Sequence, residues 1–294
     1  MSRRGSAGGP DGIAVIDKPA GWTSHDVVAK SRGIIGTRKI GHSGTLDPDA
    51  TGVLVLGIGR ATRVLRFLQL LPKTYEVEIV FGVETNTLDA SGRVTASHEM
   101  GDLRFEDIRR AATGFLGRIE QVPPMVSAVK IDGRRLHELA REGIEVEREP
   151  RPVTIYRFEV SATADPLVVR ATVECSAGTY VRTLAADLGA ALGGGAHIQN
   201  LRRTAVGSFT LADSHPLDTP VVLPMSEAMR GFRSVTVDGA TESLVRVGSV
   251  LTSDLLGVDG APPWAVLGED GSLLAVYEPH RDGIRVKPAV VLVG

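Results

Sequence analysis

The sequence is short of cysteine, of aromatic residues and of long apolar runs: of its 294 residues, only Cys175 is a cysteine, and 4% are aromatic. One cysteine cannot form an internal disulfide and fits a reducing compartment, so a cytoplasmic location is expected. Because no run of about 18 apolar residues occurs, no membrane span is predicted. The basic start has no apolar segment behind it, so residues 1–11 are expected to be a disordered tail and not a signal peptide.

An excess of charge of one sign is also lacking, because the formal net charge is −2. The charge is nevertheless unevenly divided, since residues 211–294 carry 6 Lys and Arg against 11 Asp and Glu. This asymmetry favours the first part of the chain as the surface for a polyanionic partner. A chance fluctuation on two ordinary surfaces explains the same asymmetry.

Hydrophobic periodicity divides the main part of the chain into strands and helices. Residues 12–19 predict a buried strand, and the capping-box spacing of Thr23 and Asp26 predicts a helix after it. In residues 74–82, Tyr75 and the apolar residues at every second position share one face of a strand. Because strands and helices do not alternate regularly, an α+β fold with a mixed, mainly antiparallel sheet is predicted.

Composition predicts the division into domains. Residues 12–210 are expected to form the main domain, with a charged, proline-bracketed excursion at about 123–152 that contains a hairpin and a short helix. Residues 211–231 are rich in proline and turn residues and predict a linker. Residues 232–294 contain short strands and hairpin turns, which predict a small β-barrel.

The segment GHSGTLDPDATGVL, residues 41–54, places the carboxylate of Asp47 in a tight turn rich in glycine and threonine. A calcium loop is excluded, because Ile58 stands at the twelfth position, where a glutamate is required. A magnesium-dependent phosphatase with an aspartyl nucleophile shares the pattern D-x-D-x-T and remains the alternative enzyme, although no buried strand precedes Asp47 here. The glycines that follow lack the Lys-Ser/Thr pair of a phosphate-binding loop. An aspartate that only stabilises its own turn remains open.

Three blocks occur in a fixed order: DKPAGWTS (residues 17–24), GHSGTLDPDATGVL and SAGTYVRTLAADLG (residues 176–189). Together they resemble the TruB family of tRNA pseudouridine synthases, which isomerise uridine 55 in the T-loop. The resemblance covers about residues 12–206, and the excursion resembles the insertion with which bacterial members grip the T-arm. It implies an isomerase that acts on tRNA by base flipping and needs no cofactor, no metal and no protein partner. Ser43 and Asp49 depart from the family pattern, in which threonine and an apolar residue are commoner.

The resemblance also implies catalytic roles for three residues. Asp47 matches the nucleophile, because a carboxylate is ionised at neutral pH, can hold a covalent intermediate and can leave again. Arg182 matches the cation expected beside it, since an unpaired carboxylate in a dry pocket tends to be neutralised. Tyr75 matches the ring that stacks on the extruded uracil, with its hydroxyl near C5.

Other positions match substrate-binding residues of the family. Tyr180 and Leu201 match residues that line the uracil pocket, and His42 matches a residue that fills the space left by the flipped base. Without the resemblance, Leu201 would be a core leucine and His42 an ordinary loop histidine. Lys18 is expected to be structural or to face a phosphate.

The last domain matches the position of a small RNA-contacting barrel, often of the PUA type. Its acidic balance opposes strong phosphate binding. A non-catalytic RNA-binding or tRNA-chaperone module remains the alternative function. The combination of Asp47, Tyr75 and Arg182 favours the enzyme, because binding alone does not require all three.

Overall fold

The computed structural model describes residues 9–127, 129–131 and 133–293. Most of the predicted tail, residues 1–8, and Asp132 of the predicted hairpin turn lie outside the described residues. The α-helices are α1 (Ser24–Ile35), α2 (Leu65–Gln69), α3 (Phe105–Thr113), α4 (Leu136–Arg141), α5 (Val181–Ala191), α6 (Gly239–Arg246) and α7 (Ser253–Leu256).

The β-strands are mostly short and are distributed along the whole described chain. They are β1 (Gly12–Lys18), β2 (Ile40–His42), β3 (Thr51–Ile58), β4 (Lys73–Phe81), β5 (Val83–Thr85), β6 (Val94–Ser97), β7 (Gly117–Gln121), β8 (Lys130–Ile131), β9 (Arg134–Arg135), β10 (Arg151–Ala162), β11 (Val168–Cys175), β12 (Ala196–Val206), β13 (Phe209–Thr210), β14 (His215–Pro216), β15 (Arg233–Thr236), β16 (Leu251–Thr252), β17 (Trp264–Leu267), β18 (Leu273–Pro279) and β19 (Arg285–Val291).

The described residues separate into two compact units. The first comprises residues 9–48, 52–69 and 206–293, and the second comprises residues 49–51 and 70–205. This grouping differs from the predicted order of main domain, linker and C-terminal domain, and the predicted boundaries stay a prediction. None of the helices within the described ranges combines the length and apolar character that a bilayer crossing requires.

The first unit begins with β1, which pairs antiparallel with β3 in a register that places Lys18 opposite Gly52. Strand β2 pairs antiparallel with the other end of β3, and residues 43–50 connect these two strands. Buried apolar residues of β1, β2 and β3 pack against Val27 and Val28 of α1. This packing fixes the base of the connection that contains Asp47.

Helix α1 begins with the predicted capping box. The Thr23 hydroxyl accepts a hydrogen bond from the Asp26 amide, and the Asp26 carboxylate accepts one from the Thr23 amide. The sequence-based prediction of this helix start is confirmed. The cap places the end of the first sequence block at the N-terminus of α1.

Residues 211–231, predicted as a linker, are built into the first unit. Strand β14 pairs in parallel with β1, Leu217 lies in the buried cluster of α1, and Ile13 exchanges two backbone hydrogen bonds with Leu223, of 3.1 and 2.8 Å. A short edge strand tolerates proline, because its outward N–H is not needed for the sheet. Proline content alone therefore does not separate a linker from an edge strand.

The second unit is built on an antiparallel sheet with the strand order β12-β4-β11-β10-β7. Val77, Ile79 and Phe81 of β4 are buried in the cluster that α3 and α5 complete, and Glu76 is exposed, so the predicted alternation is confirmed. Within residues 123–152, β8 pairs with β9 and α4 follows, which is the expected hairpin with a short helix. The prediction of a mixed, mainly antiparallel α+β fold is confirmed.

Five strands near the end of the chain form a second sheet in the order β15-β17-β18-β19-β16. The pair β15–β17 is parallel and the other pairs are antiparallel. Trp264 and Tyr277 lie in the buried apolar cluster of this sheet. The pairings of the described residues form an open row, so closure into a PUA-like barrel stays a prediction.

Three arginines of the first unit hold the last strand through its backbone. Arg60, Arg63 and Arg66 donate hydrogen bonds of 2.5–2.7 Å to carbonyl oxygens within residues 289–292. Arg60 also forms an ion pair of 2.7 Å with Asp11, the last residue of the predicted tail. These guanidinium groups therefore stabilise the fold by satisfying main-chain acceptors.

Candidate functional site

Asp47 lies in the connection between β2 and β3, and its side chain is half-buried. The residue before it, Leu46, is buried and exchanges two hydrogen bonds with the Ser24 hydroxyl. The Leu46 amide donates to this hydroxyl at 2.8 Å, and the hydroxyl donates to the Leu46 carbonyl oxygen at 3.3 Å. The start of α1 thus fixes the backbone on the N-terminal side of Asp47.

Lys18 fixes the backbone on the other side of Asp47. Its side chain is fully buried, and the ammonium donates to the carbonyl oxygens of Pro19, Trp22 and Pro48 at 2.9, 2.6 and 2.9 Å. The Gly21 amide adds a bond of 2.9 Å to the Pro48 oxygen. A buried ammonium is stable only where such acceptors replace its hydration. Of the two expected roles for Lys18, these contacts support the structural one.

The clamped backbone has a chemical consequence for Asp47. Its two neighbours in the chain, Leu46 and Pro48, are held by residues of the first sequence block. A reactive group that is already in place needs no reorganisation when charge develops during a reaction. The arrangement is therefore compatible with a carboxylate that reacts with a substrate.

His42, the last residue of β2, directly precedes this loop and is half-buried. Its Nδ1 accepts a hydrogen bond of 3.3 Å from the Gly44 amide, which requires that this nitrogen carries no proton. The ring meets His25 edge-to-face, with centroids 5.4 Å apart and an interplanar angle of 82°. His42 thus stands at the start of the connection that contains Asp47, in the first unit.

In the second unit, Arg182 is the second residue of α5 and is buried. Its guanidinium donates to the carbonyl oxygens of Thr87 and Val126 at 2.9 and 2.8 Å, and lies 3.6 Å from the Asp89 carboxylate. These contacts fix the plane of the guanidinium. The cation is therefore rigid within its own unit.

Asp89 is a residue that the sequence analysis did not identify. One of its oxygens accepts hydrogen bonds from the Thr87 hydroxyl at 2.7 Å and from the Ser91 amide at 3.1 Å. The run TNTLDASG, with hydroxyl residues on both sides of an acid, is typical of such a turn. That signal predicts the turn but not the contact with Arg182, which is distant in sequence.

Tyr75 and Leu201 are both half-buried and pack at the margin of the main apolar cluster of the second unit. Tyr180 lies immediately before α5, where its amide donates to the Gln121 side-chain oxygen at 2.7 Å and its carbonyl accepts from the Gln121 amide group at 3.1 Å. Val181, the next residue, lies in the same cluster. The second unit therefore places Tyr75 and Leu201 against one apolar cluster and Tyr180 next in sequence to a residue of that cluster.

Lys73, at the start of β4 and two residues before Tyr75, is buried and donates to the Leu71 carbonyl oxygen at 2.6 Å. Burial, together with the charge of Arg203, lowers the pKa of Lys73 to about 8. Burial raises the pKa of the neighbouring Cys175 thiol to about 11. At neutral pH the Lys73 ammonium thus stays mostly charged, close to its pKa, whereas the Cys175 thiol stays neutral.

Asp49, which departs from the family pattern, has an exposed side chain and therefore lies on the surface.

Across residues 9–127, 129–131 and 133–293, no three side chains of His, Cys, Asp or Glu are grouped as a metal ion would require. The residues around Asp47 therefore supply hydrogen-bonding and ionic groups, and we assign no metal ligand among them.

Comparisons with known proteins agree with the three sequence blocks. A model described as TruB family pseudouridylate synthase (N terminal domain) matches residues 32–181, and one described as tRNA pseudouridylate synthase B C-terminal domain matches residues 182–228. Proteins named tRNA pseudouridine synthase B match almost the whole chain. The one from Arthrobacter sp. (strain FB24) is 45% identical over 95% of this chain and 96% of its own length. The one from Nocardia farcinica (strain IFM 10152) is 46% identical over 96% of this chain and 93% of its own length.

A solved structure shows the same fold. A chain of a Cbf5-Nop10-Gar1 complex is 27% identical and has a TM-score of 0.73. The similarity covers 96% of this chain and 85% of that chain. The α+β arrangement described above therefore occurs in an experimentally solved relative.

Replacing Lys18 by methionine tests its role in the loop. Lys18→Met keeps an apolar side chain of similar length but removes the donor of the Pro19 and Trp22 carbonyl oxygens, at a cost of about 1.5–3 kcal/mol for each bond to the charged group, while the Pro48 oxygen keeps the Gly21 amide. We expect the free energy of unfolding to fall by about 3 kcal/mol or more in urea denaturation. Ser43→Ala is the matched control, because this buried hydroxyl of the same loop has no hydrogen-bond partner among the described residues. Equal stability of the two variants would contradict the proposed role.

The ionisation of Lys73 predicts a pH dependence of stability. Its pKa is lowered from 10.5 to about 8, so the unfolded chain binds more protons between these values and stability rises with pH. The pKa of Cys175 is raised from 9.0 to about 11, which has the opposite effect above pH 9. The free energy of unfolding of the wild type should therefore increase between pH 8 and 9, and that of Lys73→Met should not show this increase. The same slope in both proteins, measured by denaturation at several pH values, would refute this.

Proposed function

Because the chain belongs to the TruB family of pseudouridylate synthases, we propose that it isomerises uridine 55 in the T-loop of tRNA to pseudouridine. Its relatives over nearly the whole chain are named tRNA pseudouridine synthase B, and the chain is accordingly an isomerase that acts on tRNA. The observation that carries the proposal is the half-buried side chain of Asp47 on a backbone that is clamped on both sides. The excursion at residues 123–152 would grip the T-arm.

Asp47 is the proposed nucleophile of the reaction. Its carboxylate forms a covalent bond with the nucleotide while the bond between N1 and C1′ is broken. The uracil turns, C5 forms a bond with C1′, and the carboxylate leaves again. N1 gains a proton and C5 loses one, so the product is an isomer of the substrate. The chemistry therefore needs neither an electron donor nor a transferred group.

Arg182 is proposed to keep Asp47 ionised. A guanidinium remains charged at any physiological pH and, unlike an ammonium, holds a fixed plane. The bonds to Thr87 and Val126 and the proximity of Asp89 support this role, because they hold the guanidinium in one orientation. Asp89 is then a positioning residue that acts through Arg182.

The remaining predicted residues would handle the flipped base. A uridine stacked inside a folded loop must be extruded before its ring can react. Tyr75 supplies a stacking face and a hydroxyl that accepts the C5 proton, and Tyr180 and Leu201 line the pocket. The half-buried position of His42 at the start of the loop supports its role in filling the vacated space.

For the sheet of residues 232–293 we propose a PUA-like domain with a minor role in phosphate binding. The basic residues Arg233, Arg246, Arg285 and Lys287 form ion pairs with acidic residues of this same part of the chain, at 2.5–3.9 Å. Paired cations attract phosphates less than free ones. Transfer RNA is the only partner that the proposal requires.

The Asp47→Asn variant tests the nucleophile. Asparagine keeps the size of the side chain and removes its charge, so turnover should vanish while T-arm binding changes by no more than about 1 kcal/mol. The measurement is tritium release from C5-labelled uridine in a T-arm stem–loop, and Asp49→Asn, which alters the exposed neighbour, should remain active. Isomerisation by Asp47→Asn would refute the assignment. Release in wild type should survive EDTA, which would exclude the magnesium-dependent phosphatase; no release at all would favour the non-catalytic RNA-binding module.

Two variants at Tyr75 separate its ring from its hydroxyl. Tyr75→Phe should form the bond between C5 and C1′ but fail to release tritium, because the acceptor of the C5 proton is missing. Tyr75→Leu should fail earlier and also bind the flipped base more weakly, by about 1–3 kcal/mol. Single-turnover assays that separate the rejoined nucleotide from the released tritium distinguish the two. Near-normal tritium release by Tyr75→Phe would leave stacking as the only role of this residue.

A further inference from the structure

Trp22 is an exposed aromatic residue beside the loop of Asp47. Its side chain is 36% exposed, whereas the other of the two tryptophans, Trp264, is 7% exposed and donates through Nε1 to the Asp259 carbonyl oxygen at 2.7 Å. The indole N–H of Trp22 has no hydrogen-bond partner in the described part of the chain. A tryptophan usually satisfies this donor when it serves the core. Trp22 therefore presents both a ring face and a free donor to solvent.

The backbone of Trp22 is fixed to the backbone that follows Asp47. The Lys18 ammonium donates to the Trp22 carbonyl oxygen at 2.6 Å and to the Pro48 oxygen at 2.9 Å. Gly21 adopts a φ of +79°, and its amide also donates to the Pro48 oxygen. The ring consequently emerges from a rigid turn that is held to the candidate active site by direct contacts.

A helix-capping role explains only part of this arrangement. Trp22 precedes the Thr23 cap of α1, a position at which an apolar residue often packs on the fourth residue of the helix, here Val27. Leucine would serve that purpose and leave less apolar surface in water. The capping role thus accounts for an apolar side chain at this position but not for an exposed indole.

From these observations we propose that Trp22 stacks on an unpaired base of the RNA next to the target uridine. The inference rests on the proposed function, because that function brings single-stranded loop nucleotides to Asp47. Proteins bind such bases by stacking them on Trp, Tyr, Phe or His rings. His25, three residues further and also exposed, packs edge-to-face on His42 and extends the aromatic character of this region.

The test combines fluorescence with three substitutions in the full chain. A T-arm stem–loop should quench the tryptophan emission of the wild type and should leave that of Trp22→Phe, which retains only Trp264, unchanged. Trp22→Leu keeps an apolar residue before the cap and should weaken stem–loop binding roughly 5- to 150-fold. Trp22→Phe, which keeps a ring, should remain within about threefold. The single-turnover rate at saturating RNA should stay that of the wild type in both, because Trp22 does not touch the reacting atoms.

Further measurements separate this inference from its premise. On a fully paired duplex of the same length, Trp22→Leu and wild type should bind alike, since no unpaired base is offered. If the wild type isomerises uridine but Trp22→Leu binds the stem–loop as tightly as Trp22→Phe, the stacking assignment is wrong and the proposed function stands. If the wild type neither binds the stem–loop nor releases tritium, both are wrong. Thermal unfolding of Trp22→Leu should match the wild type, and Trp22→Ala should be less stable through loss of the apolar cap residue.

Discussion

The candidate site depends on one buried charge, the ammonium of Lys18. Removing an ammonium from water is costly unless backbone acceptors surround it, so the chain around it has few alternative arrangements. The register of β1 on β3 places Lys18 opposite Gly52, at the end of the connection that contains Asp47. The first and second sequence blocks thereby become one rigid piece. An ammonium has three donors, one for each of the carbonyl oxygens that it binds here, whereas an uncharged amide group has only two.

The second unit uses the same principle with a different cation. Arg182 is buried and satisfies carbonyl oxygens from two separate loops, through Thr87 and Val126. In both units the position of a functional side chain thus depends on main-chain carbonyl oxygens. Every residue supplies such an oxygen, whatever its side chain. Asp89 adds an acidic partner to Arg182, so that its charge is partly balanced before any substrate binds.

Sequence reasoning succeeded where the signal is local. The capping box of Thr23 and Asp26 and the alternation along β4 are contained in a few consecutive residues, and both were confirmed. It failed for contacts between distant segments. The pairing of residues 211–231 with β1 and the approach of Asp89 to Arg182 both depend on tertiary packing. For Lys18, the sequence left a structural and a phosphate-facing role open, and only the carbonyl oxygens around it favour the first.

The distribution of charge bears on how an acidic protein binds RNA. Arg60, Arg63 and Arg66 are occupied by carbonyl oxygens of residues 289–292, and several basic residues after them are paired with neighbouring acids. A count of basic residues therefore overstates the charge that is free to meet phosphates. Where phosphate contacts are few, stacking and shape must supply more of the affinity, and this part depends little on salt. An exposed indole beside the clamped loop of Asp47 fits that division: in our proposal the ring binds the RNA, and the rigid loop holds the carboxylate in place for the reaction.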